Sequence, residues 1–152
     1  MKLGYAETAG DICIRQKLIV LNHLSDKYDG VDVLLDKTGE WHMNGFSKKR
    51  PQVFNYIDVA FNALHGEFGE DGKVQQVFES FNIPYTGSRI TSSSLAMKKH
   101  IARDLFSKAG IKVPRAMFFT KDDMFGIDVA ECARKVFNSI SPLWVVKPAS
   151  TG

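Results

Sequence analysis

With 152 residues, 44% of them apolar and 24% charged, the chain can bury one core, or one domain plus the start of another. That composition excludes a disordered or fibrous protein, and a net charge of +3 is too small to indicate a nucleic-acid binder. No apolar run approaches the roughly 18–20 residues of a membrane span, and Met1-Lys2-Leu3-Gly4 has no signal-peptide core. A cytoplasmic protein without membrane or nucleic-acid partners is expected. Cys13 and Cys132 are far apart and lack C-x-x-C spacing, which suits reduced thiols.

From Ile12 to Leu24 the apolar residues fall on one helical face, with Asp11 near its cap. Gly30 breaks the pattern, and 31–35 reads as a buried strand. Lys37-Thr38-Gly39 is a turn, residues 40–44 return as a short strand, and 45–52, with Lys48-Lys49-Arg50 and Pro51, reads as an exposed loop. Three such charges without interleaved aromatics are the mark of a solvated loop.

Residues 57–64 form the clearest strand, apolar enough to be covered on both faces. A loop with three glycines follows, then a helix with Val74, Val77, Phe78 and Phe81 on one stripe. Ile83-Pro84-Tyr85 reads as a short strand. Ser92 opens a helix that Gly110 closes at its C′ position. Pro114 to Phe119 is extended, a helix starts near Asp128 and runs to about Ser139, and Leu143 to Lys147 reads as a last strand. Strands alternating with helices predict an α/β fold with an open, mainly parallel sheet and helices on both faces. A second domain is expected to start near Gly110–Pro114.

In such sheets ligands sit beyond the carboxyl ends of the strands, where His65-Gly66-Glu67-Phe68-Gly69-Glu70-Asp71-Gly72 falls. Two readings fit. A histidine beside carboxylates can grip a zwitterionic or carboxylate substrate. Alternatively, the acidic residues simply cap the helix that begins at Lys73, favouring the positive end of its dipole. No nucleophile triad or metal cluster is evident, so no catalytic residue and no metal ligand is assigned; His23, His42, His65 and His100 are scattered.

The stretch Asp58 to Ser88 resembles D-alanine–D-alanine ligase, of the ATP-grasp superfamily. The matching parts are Ala63-Leu64-His65-Gly66, Gly69-Glu70-Asp71-Gly72 and Ile83-Pro84-Tyr85-Thr86-Gly87-Ser88. Ser94-Leu95-Ala96-Met97-Lys98-Lys99, Ala109-Gly110-Ile111-Lys112-Val113-Pro114 and Val145-Val146-Lys147-Pro148 continue it. The resemblance covers most of the chain from about Asp11 onward. It implies a pre-ATP-grasp, Rossmann-like substrate-binding domain at residues 1–112 and the beginning of an ATP-binding domain at 113–152.

By the same resemblance His65 and Glu70 lie at the pocket for the first D-alanine, with Asp11 toward its amino group. Lys99 and Lys147 would contact ATP phosphates, as mobile point charges suited to anionic oxygens. Ser150, Thr151 and Gly152 resemble the start of the small glycine- and serine-rich loop that closes over those phosphates. Against this, Lys98, Lys99, His100 and Arg103 also read as the solvated face of an amphipathic helix.

The parent reaction implied is the ATP- and Mg²⁺-dependent joining of two D-alanines through an acyl-phosphate, feeding peptidoglycan synthesis, by a homodimer. The chain departs from the family at its start. The opening strand is cut to Met1-Lys2-Leu3, a glycine pair reads Gly4-Tyr5, and a Glu-Val-Ser triplet reads Asp11-Ile12-Cys13. Asp11 is one methylene shorter than glutamate, and Cys13 replaces a hydroxyl with a weak donor. The adenine-binding segment and metal ligands of the family would lie downstream of Gly152, so this chain alone is expected to be inactive. A ligase taking D-lactate or D-serine as second substrate, and a non-catalytic α/β binding module, are the alternatives.

Overall fold

The computed structural model describes residues 1–8, 19–140 and 142–150, with side chains left out at residues 5–8. It divides into two compact units, Met1–Met97 and Lys98–Thr151.

The first unit holds a five-stranded sheet. Its strands are β1 (Lys2–Thr8), β2 (Asp29–Leu35), β3 (Trp41–Met43), β4 (Phe46–Lys48) and β5 (Val59–Asn62), in the order β4-β3-β2-β1-β5. β1 pairs in parallel with β2 and β5, whereas β2–β3 and β3–β4 are antiparallel. The sheet is therefore mixed rather than mainly parallel.

A hairpin accounts for the difference. Asn44 and Gly45 both have positive φ (51° and 84°), the two-residue turn whose twist matches paired strands. It brings Phe46–Lys48 back against β3 where a loop was expected. Pro51 then starts a short helix, α1 (Arg50–Phe54), that buries Val53 and Phe54. The opening strand also runs further than the expected Met1-Lys2-Leu3, through Thr8. Asp11 and Cys13, with most of the helix expected over 12–24, lie outside the described residues; 19–22 are helical.

The core gathers Val31, Val33, Leu35, Trp41, Val53, Phe54, Ile57, Ala60, Leu64, Val74 and Phe78. Alternation along β2 places Val31, Val33 and Leu35 on its buried face. Helix α2 (Lys73–Ser80) contributes Val74 and Phe78, both fully buried and one turn apart. An aromatic chain runs through this core, with ring centroids 5.0 Å apart for Trp41–Phe54, 5.7 Å for Phe54–Phe78 and 5.4 Å for Phe78–Tyr85. The segment around Tyr85 makes a single parallel bridge to Ala60 in place of the expected strand. Burial, and then a hydrogen bond to Glu79 (2.8 Å), push the Tyr85 hydroxyl up to about 12.

The single helix expected from Ser92 is two: α3 (Ile90–Met97), which belongs to the first unit, and α4 (Lys99–Lys108), separated by an extended Lys98.

In the second unit α4 ends as expected at Gly110, whose φ is +78°. The Ile111 amide bonds the Phe106 carbonyl and the Gly110 amide that of Ser107, which closes the last turn. Arg103 donates to the Pro114 carbonyl at 3.2 Å and His100 stacks on Phe118 at 4.3 Å, tying the irregular 111–120 run to α4. Helix α5 (Val129–Ser139) begins after Asp128, as expected. The run Leu143 to Lys147 is not a strand: Leu143 sits at φ +80°, outside the β region, and the segment pairs with no strand among the described residues. Leu143 and Val146 are 100% and 96% exposed.

Candidate functional site

Strand β5 delivers the chain to the loop 63–72 at the carboxyl end of the sheet. Its last residue, Asn62, fixes the entry. The Asn62 amide donates to Thr86 Oγ1 at 3.0 Å, and its side-chain carbonyl accepts from the Leu64 amide at 3.2 Å. Ala63 and Leu64 are buried, which anchors the loop in the core. Gly66 and Phe68 then take positive φ (71° each), and the Glu70 amide bonds the Gly66 carbonyl at 3.0 Å.

The three acids of the loop have different partners. Asp71 and Glu67 serve the helix. Asp71 accepts from the Lys73 amide at 3.0 Å, and both acids pair with the Lys73 ammonium at 3.0 Å. Burial would raise the Asp71 pKa, but the Lys73 amide and ammonium more than offset it, and the net shift is downward. Lys73 is raised in turn, by Asp71 first and Glu67 second. The Glu67 pair is exposed and adds little stability.

Glu70 behaves differently. Its Oε2 accepts from the Gly66 amide at 2.6 Å, turning the carboxylate back over the loop rather than onto the helix. Glu70 and His65 line one open cleft of about 340 Å³, with Asn62, Gln75, Thr86 and Ser88 on its other walls. Ser93, buried, donates to the Ser88 carbonyl at 3.1 Å and holds that wall. The sequence-predicted pair is thus brought together. The cleft joins a carboxylate, an imidazole and several hydroxyls, which suits a small zwitterion better than an apolar ligand.

In the second unit the Lys99 amide bonds the Ala149 carbonyl at 2.9 Å, so the start of α4 meets the chain just past Lys147. Lys147 and Ser150 are exposed and Lys99 half-buried. Thr151 and Gly152 lie outside the described residues.

Another polar cluster sits on the β2–β3 turn, where Asp36, Glu40 and His42 each offer a ligand atom within 4.8 Å of the others. Asp36 is already engaged: it accepts from the Thr38 amide (2.8 Å) and hydroxyl (2.6 Å), the Glu40 amide (3.0 Å) and His42 Nε2 (2.8 Å). The Thr38 hydroxyl, then His42 and the Glu40 amide, hold the Asp36 carboxyl well below the usual carboxylate range. Because the folded value lies below the unfolded one, the turn's contribution is complete above the ordinary carboxylate range and is lost progressively as pH falls from that range through the lowered value. A carbon-detected NMR titration should show the Asp36 carboxyl still ionised at about pH 3, where free aspartate is mostly protonated. A midpoint near 4 would mean that these hydrogen bonds do not persist in solution.

A family model described as the D-ala D-ala ligase N-terminus matches residues 43–88. The D-alanine–D-alanine ligase of Paramagnetospirillum magneticum is 51% identical over 129 residues, 83% of this chain. The chain corresponds to the N-terminal region of the D-alanine–D-alanine ligase family. It spans 28% and 40% of the length of the curated ligases of Beijerinckia indica and Paramagnetospirillum magneticum. The crystal structure of D-alanine–D-alanine ligase from Bacillus anthracis superposes with a TM-score of 0.67 at 29% identity, over 90% of this chain and 43% of that one. A D-Ala:D-Ser ligase from Enterococcus faecalis shares the fold at a TM-score of 0.70 and 21% identity, over 99% of this chain and 52% of that one.

The cleft contains two residues that sequence reasoning passed over, Asn62 and Gln75. The signal that could have found Gln75 was positional: it is a polar residue three places before Phe78 on the buried face of α2.

Among the described residues no helix is long and apolar enough to cross a membrane.

Proposed function

We propose that this chain supplies the first-substrate pocket of a cytoplasmic, ATP-dependent ligase that joins two D-alanines for peptidoglycan synthesis. The observation that carries the reading is that His65 and Glu70 line one cleft at the end of β5. D-alanine is a zwitterion, and the two side chains are its complement. The Glu70 carboxylate faces an ammonium, and the His65 imidazole donates to a carboxylate. Family membership supports the assignment, since the D-alanine–D-alanine ligases it resembles are named for this substrate. Asp11 is proposed as a further ligand of the amino group.

On the nucleotide side the proposal assigns Lys99, at the end of the substrate-binding domain, and Lys147, Ser150, Thr151 and Gly152, within an ATP-binding domain beginning at residue 113, to the ATP phosphates. The hydrogen bond between Lys99 and Ala149 supports grouping the two lysine-bearing segments. Bound ATP supplies the phosphoryl group that activates a carboxylate. Mg²⁺ prefers carboxylate and water oxygens in an octahedral shell. The Asp36–Glu40–His42 group includes an imidazole and an aspartate already saturated by the turn, so it does not fit that ion. The metal ligands, the second-substrate pocket and a homodimer interface are proposed for the complete ligase.

Titration of the chain with D-alanine, followed by amide chemical shifts, tests the pocket. His65→Ala should weaken binding by about tenfold, the worth of one hydrogen bond to a charged group. Equal affinity in both proteins would remove His65 from the pocket.

A further inference from the structure

Gln75 is 3% exposed, on a helix whose neighbouring buried residues, Val74 and Phe78, are apolar. Burying an amide there is unfavourable unless it is bonded. Its Nε2 donates to the Gly69 carbonyl at 3.0 Å. Asn62 Nδ2 donates to that same oxygen at 3.1 Å. A carbonyl oxygen has two lone pairs, and both are taken by side chains from different elements, β5 and α2. Asn62 is itself held, through Thr86 and Leu64.

The Gly69 carbonyl belongs to the peptide that carries Glu70. Pinning it from two sides fixes that peptide, and the Glu70 side chain then reaches the Gly66 amide next to His65.

The other half of the Gln75 amide has no such duty. Gln75 Oε1 is buried without a hydrogen-bond partner among the described residues, in a side chain that lines the cleft. Leaving a buried acceptor unsatisfied is unfavourable. A methionine of similar length would pack there without that cost, so stability alone does not account for a glutamine.

We propose that Gln75 is the positioning residue of the cleft: with Asn62 it clamps the Gly69 carbonyl and so holds Glu70 in its substrate-facing place beside His65. The proposal rests on reading the cleft as the first D-alanine pocket. It gives Gln75 no contact with the reacting atoms.

Two substitutions test it in the whole chain. Gln75→Met keeps the volume and removes the donor. Gln75→Glu restores a donor only when its carboxyl is protonated; when ionised it repels the Gly69 oxygen.

With Gln75→Met, hydrogen exchange at the Gly66 and Glu70 amides should accelerate by about tenfold, one lost hydrogen bond, while β1 and β2 amides and the urea midpoint stay near wild type. D-alanine affinity should fall by a similar factor. With Gln75→Glu, affinity relative to wild type should recover as pH is lowered from 8 to 5, a dependence that a packing role would not produce. Unchanged loop exchange in Gln75→Met, or acceleration spread evenly over the whole unit, would overturn the clamp. If wild type itself does not bind D-alanine, the substrate reading fails, and the exchange data still decide the role of Gln75.

Discussion

Gly69→Ala should abolish D-alanine binding and lower the stability of the first unit by about 1–3 kcal/mol, the usual range for overpacking a filled site. The reason is space. A β-carbon on Gly69 would lie 2.4 Å from Leu64 Cβ and 2.7 Å from the Leu64 carbonyl carbon and oxygen. Leu64 is 3% exposed and belongs to the core, so it cannot swing aside. The loop would have to lift instead, carrying the Gly69 carbonyl away from both Asn62 and Gln75. Gly66 is the control. It has φ +71°, but a β-carbon there would meet nothing within 4 Å, so Gly66→Asn, a residue that tolerates that conformation, should keep the fold. Urea denaturation and D-alanine titration of both variants check this. A Gly69→Ala protein with wild-type midpoint and affinity would show that the tight Leu64 contact is absent in solution.

The largest loss of stability is expected from Phe78→Ala, about 3–5 kcal/mol. Phe78 is fully buried, and its ring meets Phe54 at 5.7 Å and Tyr85 at 5.4 Å. Phe54 continues to Trp41 at 5.0 Å, so removing Phe78 cuts the aromatic chain in its middle and separates α2 from the segment that carries Thr86 and Ser88. Phe78→Leu, which keeps most of the apolar volume, should recover most of the loss. A double-mutant cycle with Phe54→Ala should show non-additivity, since the two rings touch. A fall in unfolding free energy below about 1 kcal/mol for Phe78→Ala would mean that the site relaxes and that the core is not organised around this ring.

These two positions also show what could be read before the structure. The stripe Val74, Val77, Phe78 and the strand before His65 were legible because helical and strand periodicities are strong there. The stop at Gly110 and the start at Asp128 were legible because capping chemistry is local. The hairpin was not, although Asn44-Gly45 is a strong turn signal. The cations at Lys48, Lys49 and Arg50 masked a three-residue strand and the helix that buries Val53 and Phe54. Leu143 to Lys147 failed in the opposite way: β-branched, apolar composition suggested a strand, but a strand needs a partner and a backbone that Leu143 does not adopt. In the cleft, His65 and Glu70 stood out by residue type. Asn62 and Gln75 did not, because their roles lie in which carbonyl they reach across the fold.

The hairpin gives the charges around Lys48 a consequence of another kind. β4 is an outer strand of the sheet and ends the order β4-β3-β2-β1-β5. An outer strand exposes unpaired backbone groups that a second molecule can use as a template. Here that strand is three residues long, and its last residue begins the run Lys48-Lys49-Arg50. Two copies approaching side by side would find too few free amides to zip together and would bring like charges face to face. The basic run thus works against uncontrolled self-association along the open side of the sheet.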